Sequence, residues 1–201
     1  MSEDGVRIRF ATDEDRAAMQ EIFNREVEHS TASWQWSPLS NEDWSAWFVE
    51  HTRDHHVLLV AEVGDPDLRQ DDSRRDDSRQ GDSRQGDNRR IDSHVVGFAG
   101  YGTFRTKDGY ISTVEDSVFL EEGFRGQGLG TQLLTRLMEE ARARGVHSMV
   151  AAVTSENEAS IHLHTSVGFR QAGYLPQVGH KFGRWLDLVL LQAILDDRPA
   201  P

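Results

Sequence analysis

Apolar positions recur along this chain in two periods that alternate from one segment to the next. "VRIRFA" (6–11) sets apolar against basic residues in turn, as a half-buried strand does. Thr12 and Asp15 have the spacing of a capping box, which predicts a helix through about Val27. A tryptophan-rich loop, "STASWQWSP", follows. Ser40 and Asp43 then cap a second predicted helix, with Trp44, Trp47 and Phe48 at helical spacing. "HVLLVAEV" and "HVVGFAGYGTF" are strand-like, and "ISTVEDSVFL" (111–120) alternates as a further strand. Between Leu129 and Arg144 the apolar residues at 129, 133, 134, 137, 138 and 141 trace one helical face, which Gly145 ends. "HSMVAAVT" predicts a strand, 158–167 a short helix, and "FRQAGYLPQV" and "RWLDLVLLQAIL" two last strands. The order β-α-α-β-β-β-α-β-α-β-β indicates an α+β domain: one mixed, mainly antiparallel sheet flanked by helices.

One segment carries neither period. From Asp71 to Ser93 the chain repeats Asp-Ser-Arg at 72, 77 and 82, then Asp-Asn-Arg at 87. Five residues match no regular element, and apolar side chains are nearly absent, so burial cannot offset the entropy of ordering. The whole chain, 1–201, therefore reads as a single domain with a low-complexity, disordered loop insertion at about 65–93. Its place between two strands puts it at a hairpin tip, where long insertions cost little.

Charge and composition narrow the chemistry. A net charge of −12 argues against a nucleic-acid or anionic-membrane surface. The chain has no cysteine, which excludes thiolate nucleophiles, disulfides and cysteine-ligated zinc together. "MSEDGVRIRF" has no basic stretch leading into an apolar run, and no apolar run approaches the roughly 20 residues of a membrane helix. The expectation is a cytoplasmic protein without metal.

The stretch "GFRGQGLGTQ" (123–132) points to a ligand. Glycines at 126, 128 and 130 let an anion approach the backbone, and the helix that starts there offers unpaired N–H groups. Its R-x-x-G-x-G spacing is not the G-x-G-x-x-G of dinucleotide folds, and it lacks the Gly-Lys-Ser/Thr of a P-loop.

This turn resembles the acetyl-CoA pyrophosphate loop of the GNAT N-acetyltransferase superfamily. "NEASIHLHTSVGF" (157–169) resembles that superfamily's downstream helix, and "STASW", "TVEDSVFL", "RGQGLG" and "PQVGHKFGRWLDL" are similar to the phosphinothricin and methionine sulfone/sulfoximine acetyltransferases. The resemblance spans Val6 to Leu195 apart from the insertion. It implies the GNAT fold, acetyl-CoA as co-substrate, a small amino acid as acceptor and a homodimer.

The resemblance also implies a site, residue by residue. Arg125, Gly126, Gln127, Gly128, Leu129, Gly130 and Thr131 would hold the pyrophosphate, largely through backbone N–H groups. Backbone amides of Val118, Phe119 and Leu120 would pair with the pantetheine arm and polarise the thioester. Asn157 and Ser160 would touch the cofactor or cap the helix. Glu115 would serve as base for the amine, through water; strand alternation sends Asp116 to the other face and makes it the lesser candidate. His164 stands where relatives carry the donor that protonates the departing thiolate, while His162 is read as incidental. Arg105, with Thr106 and Lys107, would anchor a carboxylate, and Trp34 would pack on the acceptor side chain. Trp44, Trp47 and Phe48 are expected in the core. Lys181 and Arg184 could serve a dimer interface.

Two departures bear on the acceptor: Trp36 and Ser37 replace the family's Thr-Glu before Pro38, and Ile111 stands where a close pattern has arginine. Three functional readings follow: an amino-acid N-acetyltransferase working by direct ternary-complex transfer, a protein N-terminal or polyamine acetyltransferase, and a non-catalytic acyl-CoA sensor.

Overall fold

A computed structural model describes residues 5–53, 56–64 and 93–200. Seven strands form one sheet: β1 (Val6–Phe10), β2 (Val57–Gly64), β3 (Ser93–Thr103), β4 (Thr113–Leu120), β5 (Ser148–Thr154), β6 (Arg170–Lys181) and β7 (Arg184–Ile194). Their order is β1-β2-β3-β4-β5-β7-β6. Every neighbouring pair is antiparallel except β4 and β5, which run parallel. Four helices flank the sheet: α1 (Arg16–His29), α2 (Asn41–His51), α3 (Leu129–Ala143) and α4 (Glu158–Ser166).

The end signals legible in the sequence are made by real contacts. Thr12 N–H donates to Asp15 Oδ2 at 2.7 Å, and Ser40 Oγ accepts from Asp43 N–H at 3.1 Å. Asn157 caps α4 in the same way, accepting from Ser160 N–H at 3.0 Å. Three expected boundaries shift, among them the strand expected over 169–178, which runs on to Lys181. Helix α1 runs on to His29, and β4 begins at Thr113 because Asp108–Tyr110 form a 3-10 turn ending at an exposed Ile111. The repeat expected at about 65–93 lies, apart from Ser93, outside the described residues. Its two flanks meet as a hairpin, Gly64 pairing with Ser93.

Apolar burial is divided between the sheet faces. Helix α3 packs Leu133, Leu134 and Leu137, all fully buried, against Leu59, Ala99 and Met149 on one face. On the other, α1 and α2 bring Met19, Phe23 and Trp44 against Leu58, Val60 and Phe98. Each such side chain contributes about 1.5–3 kcal/mol by leaving water. Trp44 and Phe48 are core, as expected. Trp47 is partly exposed and stacks between Trp44 and His51, at centroid distances of 4.5 and 4.0 Å.

The tryptophan loop is pinned from the far edge of the sheet. Lys181, buried at the end of β6, donates its ammonium to the carbonyls of Ser30 and Ser33 at 2.8 and 2.6 Å. This corrects the expectation of Lys181 at an interface: its charge is turned inward to satisfy the loop. Arg184 pairs instead with Glu156 on the surface. Replacing Lys181 by Met leaves both carbonyls without their donor. We expect Lys181→Met to lose about 1–3 kcal/mol of stability, read as a lower midpoint in chemical denaturation. An unchanged midpoint would contradict this role.

Candidate active site

The site originates in a short parallel pairing. β4 and β5 are in register only from Thr113↔Ser148 through Glu115↔Val150, and beyond that the strands part. The gap is a cleft of about 480 Å³, lined on one side by Asp116 to Leu120 and on the other by Ala151 to Thr154. Peptide groups facing that gap lack a neighbouring strand and are open to an extended, amide-bearing ligand.

The glycine turn closes the cleft at one end. Gly126 and Gly128 hold φ of +73° and +80°, the left-handed region glycine adopts without penalty. Helix α3 makes its first hydrogen bond from Gln132 N–H to Gly128 O, at 3.1 Å, so helix geometry leaves the preceding amides unpaired. The side chains of the turn are already occupied. Arg125 reaches Glu26 of α1 and the Leu120 carbonyl, and Gln127 donates to Gly123 O at 2.7 Å. An anion is thus met by backbone N–H groups at a helix start rather than by the Arg125 or Gln127 side chains. Leu129 is buried and packs the turn onto the core. Gly130 is closely packed: a Cβ there would sit 3.3 Å from both Leu120 Cδ1 and Leu163 Cδ2, which would have to shift. Thr131, Asn157 and Ser160 line the cleft as expected, and so does His162, which the sequence reading had set aside.

His164 and Asp116 also line this cleft, and they are joined. His164 Nε2 lies 2.9 Å from Asp116 Oδ2, with side-chain exposures of 4% and 1%. His164 Nδ1 lies 2.7 Å from the Ser160 carbonyl, which can only accept, so Nδ1 carries a proton. Burial works to lower the His164 pKa, but hydrogen bonding and charge from Asp116 outweigh it, and the result lies above the ordinary 6.5.

Glu115 is placed elsewhere. It pairs across the strands with Gly102 and lines a smaller cavity of about 220 Å³ on the α2 side, with Trp47, Glu50, His51 and His56. Ser117 lines both cavities and marks where they adjoin. Burial raises the Glu115 pKa above its ordinary 4.5; Arg105 opposes this and Asp116 adds to it. Arg105 Nη1 stands 3.8 Å from Glu115 Oε2 on an exposed side chain stacked over Phe104. Thr106 and Lys107 are exposed on the same turn. His51 lies over Gly102, whose missing side chain leaves room for it: a Cβ there would stand 3.1 Å from His51 Nε2. With Nδ1 donating to Trp47 O at 2.8 Å, Nε2 presents a lone pair, and burial holds His51 neutral by lowering its pKa.

Trp34, like Arg105, Thr106 and Lys107, lines neither cavity. Its Nε1 donates to Thr154 Oγ1 at 2.7 Å, and its ring covers Gly179, where a Cβ would lie only 2.1 Å away. It closes the tryptophan loop onto β6. The sequence offers no signal for His51 and His56; it ranks Asp116 below Glu115 and reads His162 as incidental. Strand alternation did signal the opposite facing of Asp116. That face borders the larger cleft, which becomes visible only once the β4–β5 gap is known.

Among the described residues no group of three or more His, Cys, Asp or Glu could hold a metal, and no helix is long and apolar enough to cross a membrane.

Comparison with known proteins is consistent with this geometry. Residues 16–169 match the model of the acetyltransferase (GNAT) family. The chain is 39% identical to the L-amino acid N-acyltransferase MnaT of Escherichia coli, over 98% of both chains. It is 40% identical to the L-methionine sulfoximine/L-methionine sulfone acetyltransferase of Pseudomonas aeruginosa, over 96% of this chain and 98% of that one. The Salmonella typhimurium protein yncA, solved with its cofactor acetyl-CoA, superposes with a TM-score of 0.80 at 37% identity, covering 98% of each chain.

The turn provides a direct test. Gly128→Ala forces a Cβ onto a left-handed residue, costing about 1–2 kcal/mol, and places a methyl among the anion-facing amides. We expect acetyl-CoA affinity to fall at least about tenfold by calorimetry. Unchanged affinity would remove this turn from the cofactor site.

Proposed function

We infer the reaction from one premise: the chain belongs to the acetyltransferase (GNAT) family and is an acetyl-CoA-dependent N-acetyltransferase. We propose that its acceptor is the α-amino group of a small amino acid, of the methionine sulfone, methionine sulfoximine or phosphinothricin type. The observation that carries the acceptor reading is the second cavity. It adjoins the cofactor cleft at Ser117 and holds the half-buried Glu115 beside Arg105.

The reaction then divides between the two cavities. The pyrophosphate rests on the amides of the glycine turn, and the pantetheine arm runs along Val118 to Leu120 with its thioester near Ser117. Arg105 meets the acceptor carboxylate, while Glu115 draws a proton from the ammonium directly or through one water. The neutral amine attacks the thioester carbonyl, forming the C–N bond, and its nitrogen gives up the surplus proton to water, or to Glu115 once that group has passed the first proton to solvent. Backbone N–H groups of β4 stabilise the oxyanion, and collapse breaks the C–S bond. His164 supplies the proton to the sulfur. Both reactants are bound together, since the chain has no cysteine to carry the acetyl group. A polyamine acceptor is disfavoured because Arg105, a fixed positive charge, stands 3.8 Å from Glu115. The sensor reading is disfavoured because Glu115 and His164 occupy the two adjoining cavities.

We also propose a cytoplasmic homodimer, since acetyl-CoA is a cytoplasmic metabolite and β6–β7 exposes Tyr174, Val178, Phe182 and Trp185 on one hairpin. Light scattering that returns the mass of a single chain would refute the dimer.

Thiol release with acetyl-CoA and a panel of amino acids, sulfones, peptides and polyamines tests the acceptor class. We expect turnover on methionine sulfone, sulfoximine or phosphinothricin and little on polyamines; the reverse order would overturn the acceptor reading. Glu115→Gln should lower kcat/KM at pH 7 by about 10²–10⁴-fold while sparing acetyl-CoA affinity. Because burial raises the Glu115 pKa, the acid limb of wild-type kcat/KM should lie above pH 4.5 and vanish in the variant. An unchanged rate would dismiss Glu115 as base.

A further inference from the structure

We propose that Asp116 is a positioning residue for acetyl transfer, holding on His164 the proton that the departing thiolate of coenzyme A takes. This rests on the reading of His164 as the thiolate's proton donor and adds the residue that makes it one.

The argument is one of proton count. Nδ1 of His164 must donate, because its partner is the Ser160 carbonyl at 2.7 Å. Nε2 faces Asp116 Oδ2 at 2.9 Å. Neutral imidazole with its proton on Nδ1 would turn the Nε2 lone pair toward a carboxylate oxygen, two acceptors in contact. The pair therefore holds one proton more than a neutral ring beside a carboxylate. Both side chains are almost wholly buried, so water does not compete for that proton. Among the described residues, Asp116 is the charged group in contact with the ring. Phe169 meets it edge-on at a centroid distance of 5.0 Å, and Glu115 acts only at one remove, through Asp116.

Asp116 has a second property that suits a proton store. Its Oδ1 is buried without a hydrogen-bond partner. An orphaned carboxylate oxygen is costly, and is tolerated where a neighbouring cation offsets its charge. The imidazolium is that cation. In the step itself the C–S bond breaks and its electron pair passes to sulfur, which takes the Nε2 proton. A neutral imidazole is left beside the Asp116 carboxylate, and the pair recovers from solvent one of the two protons that the amine nitrogen has released by way of Glu115 and water, so that one proton is set free per turnover. A free thiol titrates near 8.5, so an imidazolium raised above its ordinary value is better matched to it than an unassisted histidine.

The test has an arm that needs no variant. NMR titration of the His164 ring in the wild-type protein should show a midpoint above 6.5; a midpoint at or below 6.5 overturns the proposal. In Asp116→Asn the charge is gone and burial dominates, so the midpoint should fall below 6.5. The alkaline limb of kcat with methionine sulfone should then move to lower pH by about one unit or more, with a loss of about tenfold at the pH where wild type still turns over. Acetyl-CoA affinity should stay within about twofold. A uniform fall in kcat with no movement of the limb would make Asp116 a merely structural partner and overturn the proposal. His164→Gln separates the two layers: if it keeps the wild-type profile, the donor reading fails and takes the proposal with it. If it alters the profile while Asp116→Asn does not, only the role of Asp116 fails.

Discussion

The structure turns on one parallel pair of strands that does not stay paired. β4 and β5 share three registered positions and then separate, so each presents to the gap an edge that a sheet would ordinarily have covered. Such an edge accepts an extended ligand in place of a strand. Antiparallel pairing on both flanks, β3 against β4 and β7 against β5, holds the separated strands rigid. The opening is therefore framed by the rest of the sheet.

The same gap explains why the chemistry is divided between two faces. Alternation along β4 sends Asp116 toward α4 and Glu115 toward α2, within consecutive residues. In the proposed reaction, one face holds a proton beside the leaving sulfur, and the other removes one from the incoming amine. Their pKa values are raised for different reasons: Glu115 chiefly by burial, His164 by a buried anion that overcomes burial. A direct transfer needs a deprotonated base and a charged donor together, and the two faces give these groups different surroundings. A strand between them keeps the groups from neutralising each other.

Local signals in the sequence carried most of the architecture. Capping at Thr12–Asp15 and Ser40–Asp43, the apolar stripe of α3 and the alternation of β4 all survive in the fold. The glycine turn was legible because its demand is local: positive φ and a helix start within a few residues. What escaped were contacts between distant segments. Nothing near Asp116 announces a histidine 48 residues away, and nothing near His51 announces a glycine across the cavity. The family resemblance implies Trp34 as an acceptor contact; the long-range contact it makes is a hydrogen bond to Thr154, 120 residues on, in the wall of the cleft. Lys181 shows the same limit: a charged residue beside a hairpin turn reads as surface until the loop carbonyls that bury it are known.

The central claim is that the parted strands are the seat of the cofactor. Backbone hydrogen exchange with and without acetyl-CoA tests it most directly. The account predicts that saturating ligand slows exchange at Val118 to Leu120 and at Gly126 to Thr131, and leaves β1, β2 and α2 unchanged. Protection concentrated on another face of the sheet, with the amides of β4 and the glycine turn exchanging as before, would contradict it.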